Sequence, residues 1–286
     1  MLGIITVPVT DLRAEPAPPA SYYHQDALQE SQLLYGEQVT IHEARDGWFR
    51  VTADEQPYYR DSWKGYPGWV KESHVTTIDA VSRKDLVVAV PWAALKNEEG
   101  AVVISLCMGT FLTCIAETND AWIVSLPSHG DLKLSRQDAI STQEPFAKER
   151  LIDIGSALVG APYHWGGCSC YHSEYSDTLT SVDCSGLVMI LYRLAGVQTP
   201  RNAHDQFFAA IPCSYEEMEV GDLIFVKDSE KQRMTHVMLY AGGDRFLEAT
   251  ITTGRVQWNT GVNKFGMPLS ACADNGEVYF GKINCL

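Results

Sequence analysis

A polar turn that leads directly into an apolar segment constrains this chain of 286 residues more than any other feature. Asp183-Cys184-Ser185-Gly186 is followed by an apolar run of helical length from Leu187 to Leu194. The pattern predicts a largely buried helix with Cys184 at or just before its first turn. Backbone N–H groups at a helix start lack internal partners, and the dipole there stabilises a thiolate. We therefore expect Cys184 to ionise at neutral pH and act as a nucleophile, although a single cysteine is more often structural.

Two predicted strands downstream carry a base and a group that orients it. Segments 235–240 and 246–250 read as strands, and the glycines between them indicate an antiparallel hairpin. In that hairpin Glu248 falls roughly opposite His236. Its carboxylate is then placed to accept a hydrogen bond from the ring nitrogen that faces away from Cys184. A nucleophilic cysteine needs such a base within hydrogen-bond reach, with a third group holding the imidazole.

A second histidine competes for the role of base. His204 lies in a loop-to-helix segment that follows the apolar helix and is predicted to line the same cleft. Outside the context of Cys184, a histidine such as His236 is more often a surface or core residue. The residue pattern alone leaves both histidines open.

Three motifs in order give the chain a family resemblance. The segments 160–167 (GAPYHWGG), 183–186 (DCSG) and 236–240 (HVMLY) resemble the NlpC/P60 family of cell-wall cysteine peptidases. The match runs from about Lys148 to the last residue. The resemblance implies a papain-like α+β fold, a Cys–His–polar triad, and cleavage of γ-D-glutamyl bonds in peptidoglycan peptides.

The resemblance also implies roles for individual residues. Cys184 and His236 fall on the first two triad positions, which favours His236 over His204. The third position in the family is usually histidine, and Glu248 occupies it here; a carboxylate suits the task of fixing an imidazole. The Cys184 N–H and the Tyr163 hydroxyl are expected to stabilise the tetrahedral oxyanion. The alternative for Tyr163 is a packed residue of its turn.

A pocket for a free amine follows from the likeness to the muropeptide-recycling members of the family. In those enzymes the first SH3-like domain contributes an acidic residue and a tyrosine, and Glu30 and Tyr66 are the matching positions. Asp183 offers a further carboxylate and Ser185 a further hydroxyl. The alternative for Glu30 is a solvated loop carboxylate, since charged residues usually stay exposed.

The N-terminal half shows short strands separated by turns at about ten-residue spacing. The segments 46–51 (DGWFRV) and 68–70 (GWV) resemble a bacterial SH3-like domain, and the pattern recurs less clearly after residue 77. We therefore expect an α+β protein with SH3-like β-barrels at 1–76 and 77–143 and a papain-like catalytic domain at 144–286. The segment 168–180 is expected to form a surface loop beside the cysteine motif.

The composition of the chain argues against some classes of binding partner and indicates the cellular compartment. A net charge of −14 argues against nucleic acid and anionic membrane surfaces, and no segment is long and apolar enough for a membrane span. No export signal is recognisable, and the eight cysteines show no paired framework or zinc-ligand spacing. We expect a cytoplasmic, reduced protein without metal or cofactor. The oligomeric state stays open.

These observations favour a cysteine endopeptidase that hydrolyses the γ-D-glutamyl-L-diamino acid bond of soluble peptides with a free N-terminal L-Ala. Both meso-diaminopimelate and lysine stay open as the diamino acid. The alternative is a peptidoglycan-fragment binding protein, or an acyltransferase, on the same fold. Alkylation of Cys184 at mildly acidic pH would indicate an activated thiol, and its absence would favour the binding protein.

Overall fold

The computed structural model describes residues 1–19, 26–81, 83–175, 177–272 and 276–283. Strands dominate these residues and form three sheets of seven, seven and six strands, with five short α-helices in the last part of the chain. The chain is therefore an α+β protein whose N-terminal half is β-sheet, as the sequence predicts. None of the helices described is long and apolar enough to cross a membrane.

The first sheet contains β1 (Leu2–Ile5), β2 (Val9–Arg13), β3 (Gln29–Leu34), β4 (Gln38–Arg45), β5 (Trp48–Tyr59), β6 (Trp63–Lys71) and β7 (Val75–Thr77). Its strands pair antiparallel in the order β3-β2-β6-β5-β4-β1-β7. The hairpin between β4 and β5 turns at Asp46-Gly47, where both residues have positive φ (52° and 80°). This is the turn chemistry that Asp-Gly favours, so the hairpin predicted from the sequence is confirmed.

The second sheet contains β8 (Leu86–Val88), β9 (Trp92–Lys96), β10 (Val102–Cys107), β11 (Phe111–Glu117), β12 (Ala121–Leu126), β13 (Gly130–Ser135) and β14 (Ala139–Ser141). Its order is β10-β9-β13-β12-β11-β8-β14. In both sheets the order begins and ends on different strands, and no pairing between those end strands is present in the described residues. Closure into SH3-like barrels therefore stays a prediction.

The third sheet has the order β15-β20-β16-β17-β18-β19 and belongs to the last part of the chain. Its strands are β15 (Ile211–Cys213), β16 (Leu223–Asp228), β17 (Arg233–Tyr240), β18 (Arg245–Thr250), β19 (Arg255–Thr260) and β20 (Val278–Lys282). The helices around it are α1 (Arg150–Gly155), α2 (Cys184–Leu194), α3 (Ala203–Ala209), α4 (Gly261–Phe265) and α5 (Leu269–Cys272).

Helix α2 is the helix that the sequence predicts, and all eleven of its residues are buried. Its first residue is Cys184, because Asp183 adopts an extended conformation and caps the helix. The apolar cluster around α2 also includes Leu34 from the first sheet and Val87 from the second. All three sheets thus pack around the helix that starts at the cysteine.

The segment 168–180 is a surface loop only in part, since five of its twelve described residues are buried and four are exposed. The Gln32 side chain of β3 donates to the Leu179 carbonyl at 2.6 Å. The indole of Trp92 on β9 donates to the Cys170 carbonyl at 3.1 Å. Contacts of this kind bury part of the polar backbone of the segment. Its composition, rich in Ser, Tyr and Asp, does not predict this burial.

The proposed division at residues 76 and 143 stays a prediction. A buried ion pair joins the first sheet to α2, with Arg193 Nη1 at 2.7 Å from Glu37 Oε1 and both side chains nearly inaccessible. The first and last segments therefore share a buried charge pair, and all three segments contribute to the apolar cluster around α2.

Candidate active site

The start of α2 brings the cysteine motif into a fixed frame. Asp183 Oδ1 accepts a hydrogen bond from the Gly186 backbone N–H at 2.7 Å, which is the interaction expected of an N-cap. Gly186 is required by space, since a Cβ there would lie 2.0 Å from the Gly167 carbonyl oxygen. Cys184 is only 8% exposed and faces the cleft from this frame.

The Arg201 side chain forms an ion pair with the Asp183 carboxylate. Its guanidinium donates to both carboxylate oxygens, at 3.1 Å to Oδ1 and 2.8 Å to Oδ2. The carboxylate also accepts from Ser185 Oγ at 3.1 Å and from the Gly166 N–H at 3.1 Å, in addition to the cap bond from Gly186. These bonds fill the acceptor capacity of a carboxylate and neutralise its charge. These bonds place Asp183 in the frame that holds Cys184, and binding of an ammonium by Asp183 stays a prediction.

Ser185 belongs to the same network. Its hydroxyl donates to Asp183 and accepts from Arg201 Nη1 at 3.0 Å. The residue is buried and lines the cleft next to Cys184. Its polar atoms thus stabilise the frame of the nucleophile.

The predicted histidine, His236, and the predicted carboxylate, Glu248, contact each other. His236 Nε2 lies 2.8 Å from Glu248 Oε2. The pairing of Leu239 with Leu247 places Glu248 opposite Met238, so His236 and Glu248 are diagonal neighbours on one face of the sheet rather than directly opposite. If Nε2 carries the proton donated to Glu248, Nδ1 is the basic nitrogen of the ring.

Glu248 is a fully buried carboxylate with several donors. Oε1 accepts from Gln257 Nε2 at 3.1 Å and from Asn259 Nδ2 at 2.8 Å. Oε2 accepts from Lys264 Nζ at 2.6 Å as well as from His236. Burial raises the pKa of Glu248, but the hydrogen bonds and charges of its partners outweigh burial and lower it to about 2. The carboxylate is therefore ionised at neutral pH.

The surroundings of the Cys184 thiol favour its neutral form, so the ionised thiol expected from the helix start stays a prediction. Burial raises its pKa to about 12, with a further contribution from the Asp183 charge. The Val237 backbone hydrogen-bonds the sulfur and so places it beside the residue that follows His236. Burial likewise lowers the pKa of His236, although the hydrogen bond to Glu248 opposes this. The resting pair is a neutral thiol and a neutral imidazole.

The competing histidine has a different arrangement. His204 lies on α3, and its Nδ1 accepts from the Met234 backbone N–H at 3.2 Å. A neutral ring that accepts at Nδ1 carries its proton on Nε2, so it has no free basic nitrogen. His204 lines the cleft as a donor, and the role of His236 as the base stays a prediction.

The cleft has a volume of about 510 Å³ and collects six of the eight residues singled out from the sequence. The other two, His236 and Glu248, do not line it, but His236 directly follows the lining residue Thr235. The six residues are Glu30, Tyr66, Tyr163, Asp183, Cys184 and Ser185.

Glu30 and Tyr66 reach this cleft from the first sheet. The Tyr66 hydroxyl donates to Glu30 Oε2 at 2.7 Å. Burial and the Glu30 charge raise the pKa of Tyr66, so the phenol stays a donor. Tyr163 is buried beside Cys184, and burial together with the Asp183 charge raises its pKa as well.

Sequence reasoning missed several polar residues at the site. Arg201 was only placed near the cleft, and Gln257, Asn259 and Lys264 carried no local signal. These residues come from the segments after β18 and from the loop after α2, and only the fold brings them to Asp183 and Glu248. Among the described residues no group of three or more His, Cys, Asp or Glu is arranged to hold a metal ion.

Comparison with known proteins identifies the family. The NlpC/P60 family model matches residues 160–268. The γ-D-glutamyl-L-lysine dipeptidyl-peptidase of Bacillus subtilis (strain 168) is 31% identical over 230 residues, which cover 79% of this chain and 74% of the relative. The enzyme of the same name from Bacillus cereus (strain ATCC 10987 / NRS 248) is 28% identical over 232 residues, covering 77% and 67%.

A solved structure supports the same fold over the full length. An NlpC/P60 family protein from Bacillus cereus ATCC 10987 superposes with a TM-score of 0.79 at 23% identity, covering 100% of both chains. The likeness therefore includes the N-terminal sheets as well as the part that holds the cysteine. Together with the extent of the sequence match, it shows that this chain belongs to the NlpC/P60 family of cysteine peptidases.

Proposed function

We propose that this protein hydrolyses the γ-D-glutamyl-L-diamino acid bond of peptidoglycan-derived peptides that begin with a free L-Ala. The observation that carries the proposal is the Glu30–Tyr66 pair, which the first sheet places in the same cleft as Cys184. The names of the Bacillus relatives, γ-D-glutamyl-L-lysine dipeptidyl-peptidases, support the bond and the dipeptide product.

Glu30 is the carboxylate that remains for a substrate ammonium. Asp183 is neutralised by Arg201, whereas Glu30 forms no ion pair within the ranges that the structure describes. A buried ammonium without a counter-charge is very costly, so a substrate with a free α-amine gains an ion pair here. A blocked N-terminus loses that pair and brings extra volume against Tyr66.

The reaction follows from the neutral Cys184–His236 pair. As the γ-glutamyl carbonyl approaches, His236 Nδ1 takes the thiol proton while Sγ forms a bond to the carbonyl carbon. The Cys184 N–H at the start of α2 and the Tyr163 hydroxyl donate to the oxyanion. The imidazolium, held by Glu248, then protonates the leaving amine as the C–N bond breaks.

The second half of the reaction reverses these roles. The thioester between Cys184 and the dipeptide is attacked by a water molecule that gives its proton to His236. Collapse of the second tetrahedral species breaks the C–S bond, and the thiolate recovers the proton. The product is L-Ala-γ-D-Glu, with the diamino acid released in the first half.

We further propose that the enzyme works on soluble recycled peptides in the cytoplasm, with the N-terminal sheets, as SH3-like domains, shaping the cleft. All seven cysteines within the described ranges are unpaired, which is typical of a reducing compartment. A requirement for a free N-terminal amine would exclude intact wall, where that amine is joined to muramic acid.

The test compares L-Ala-γ-D-Glu-L-Lys and its meso-diaminopimelate counterpart with the same peptides N-acetylated, by mass spectrometry of products. We expect cleavage after γ-D-Glu and a loss of kcat/KM by more than about a hundredfold on acetylation. Glu30→Gln should lose most of the preference, whereas the exposed control Glu98→Gln should keep it. Equal kcat/KM for free and acetylated peptides would contradict the proposal.

A further inference from the structure

Lys264 shares one carboxylate oxygen with the catalytic histidine. Its Nζ lies 2.6 Å from Glu248 Oε2, the atom that also lies 2.8 Å from His236 Nε2. The lysine side chain is only 20% exposed, and the carboxylate is fully buried. The three groups therefore form a continuous row from ammonium to carboxylate to imidazole.

The position of Lys264 is fixed by the fold of α4. Thr260 caps this helix by accepting from the Asn263 N–H at 3.2 Å, and Gly266 ends it with a φ of 75°. Asp244 anchors both ends of the region, with Oδ2 accepting from the Val262 N–H at 3.1 Å and Oδ1 from the Leu269 N–H at 2.8 Å. The short helix α4, with its fixed ends and its hydrogen bonds to Asp244, thus places the Lys264 ammonium next to Glu248.

The charges in this row nearly cancel. Glu248 alone would stabilise a protonated His236, whereas the adjacent ammonium offsets that effect and lowers the pKa of the imidazole. Other groups also face this strand. Helix α2 brings Asp183 and Cys184, α3 carries His204 and Asp205, and β16 carries Lys227 beside Val226, the residue paired with His236.

We propose that Lys264 is a positioning residue that fixes Glu248 and offsets its charge, so that His236 remains a neutral base toward the Cys184 thiol at neutral pH. The proposal rests on the Cys184–His236 reaction described above. The proposal also accounts for the carboxylate at a triad position that is usually histidine. Glu248 orients the His236 ring, and Lys264 limits how strongly the Glu248 charge stabilises the protonated ring. A carboxylate without the lysine would favour an imidazolium that cannot accept the thiol proton.

The test is the pH profile of kcat/KM for Lys264→Met. Removing the positive charge should raise the pKa of His236, and because the base must be unprotonated, the acidic limb should move to higher pH by about one pH unit. Activity at pH values below the acidic limb of the wild type should then fall about tenfold, while the plateau changes less. Lys264→Arg keeps the charge and should restore the wild-type limb, and Lys133→Met on the second sheet is the matched control.

A second readout separates this proposal from the assignment of the substrate. Histidine ring signals of the substrate-free protein, followed by NMR through the same pH range, should show His236 titrating at higher pH in Lys264→Met than in the wild type. Lys264→Gln serves if the methionine variant does not fold. The proposed role of Lys264 would be wrong if the wild type and the charge-removing variant had the same acidic limb in the pH profile of kcat/KM and the same titration of His236. Failure of the wild type to cut γ-glutamyl peptides would overturn only the proposed function.

Discussion

At Cys184 two effects of opposite sign act on the same sulfur. The start of a helix stabilises a thiolate by about 1 kcal/mol, which lowers a pKa by less than one. Removal of the thiol from water acts the other way and is larger, because the residue is nearly inaccessible. The sequence predicts a largely buried helix but not that its first residue is nearly inaccessible, so it favours the opposite protonation state.

The protonation state of Cys184 can be measured by its alkylation rate. With a pKa far above neutrality, the rate of reaction with iodoacetamide should rise about tenfold for each pH unit between pH 6 and 9. Mass spectrometry of the peptide containing Cys184 separates this signal from the partly exposed Cys114 and Cys213. His236→Ala should keep the same slope, because burial is the first cause of the high pKa.

A rate that is already constant from pH 6 to 7 would show a thiolate and contradict this prediction. A low rate at mildly acidic pH, in turn, does not indicate a binding protein. In the proposed mechanism the neutral thiol is activated only when His236 accepts its proton during the attack on the substrate.

Individual site residues differ in how far the sequence predicts them. Cys184, His236 and Glu248 stand in short local patterns, and the structure brings the histidine and the carboxylate together. Arg201 and Lys264 cannot be found in this way. Each is one of 22 basic residues, and its partner is set by how a later segment folds back onto the site.

At the scale of elements, helix α2 and the hairpin between β16 and β17 differ in how far the local sequence predicts them. The polar turn, the apolar run and the cap of α2 are all local, so the sequence places Cys184 at or just before its first turn, and the helix begins at this residue. The local sequence of the hairpin does not predict where it lies relative to the cleft. Its end at Arg233, with the nearby Lys231, turns out to line the cleft, which gives that wall a positive charge in a protein of net charge −14.

We expect the hairpin to bind a substrate carboxylate. Lys231 already pairs with Asp228 at 3.3 Å, so Arg233 is the cation more available to a ligand. Arg233→Gln should raise KM about fivefold for a tripeptide with a free C-terminal carboxylate, since exposed pairs contribute up to about 1 kcal/mol. The same peptide with an amidated C-terminus should be cut equally well by both proteins.

Two controls define this prediction. Lys231→Gln should change KM less than Arg233→Gln, and high salt should reduce the difference between wild type and Arg233→Gln, because exposed charges are screened. An equal rise of KM for the amidated and the free peptide would show that Arg233 does not bind the carboxylate.

At the scale of the whole molecule, the sequence predicts three units in a row, whereas the structure shows three sheets around one helix. Leu34, Val87 and Leu191 belong to the same buried cluster although they come from three different segments. Local strand patterns cannot show this, because they contain no information on which sheet face meets which helix. The cleft beside Cys184 is likewise lined by Glu30 and Tyr66, which lie far from the cysteine in the chain.

The ion pair between Glu37 and Arg193 tests whether the first sheet is part of one cooperative structure. Both side chains are nearly inaccessible, so Glu37→Gln leaves a buried guanidinium without its counter-charge. We expect a loss of about 3–5 kcal/mol in the free energy of unfolding, measured by urea denaturation. The double variant Glu37→Gln/Arg193→Met should recover part of that loss. The matched control is Glu43→Gln, whose pair with Arg50 at 3.6 Å is exposed and should contribute less than about 1 kcal/mol. If both single variants unfold alike, the first sheet is an independent domain and its contact with α2 adds little to stability.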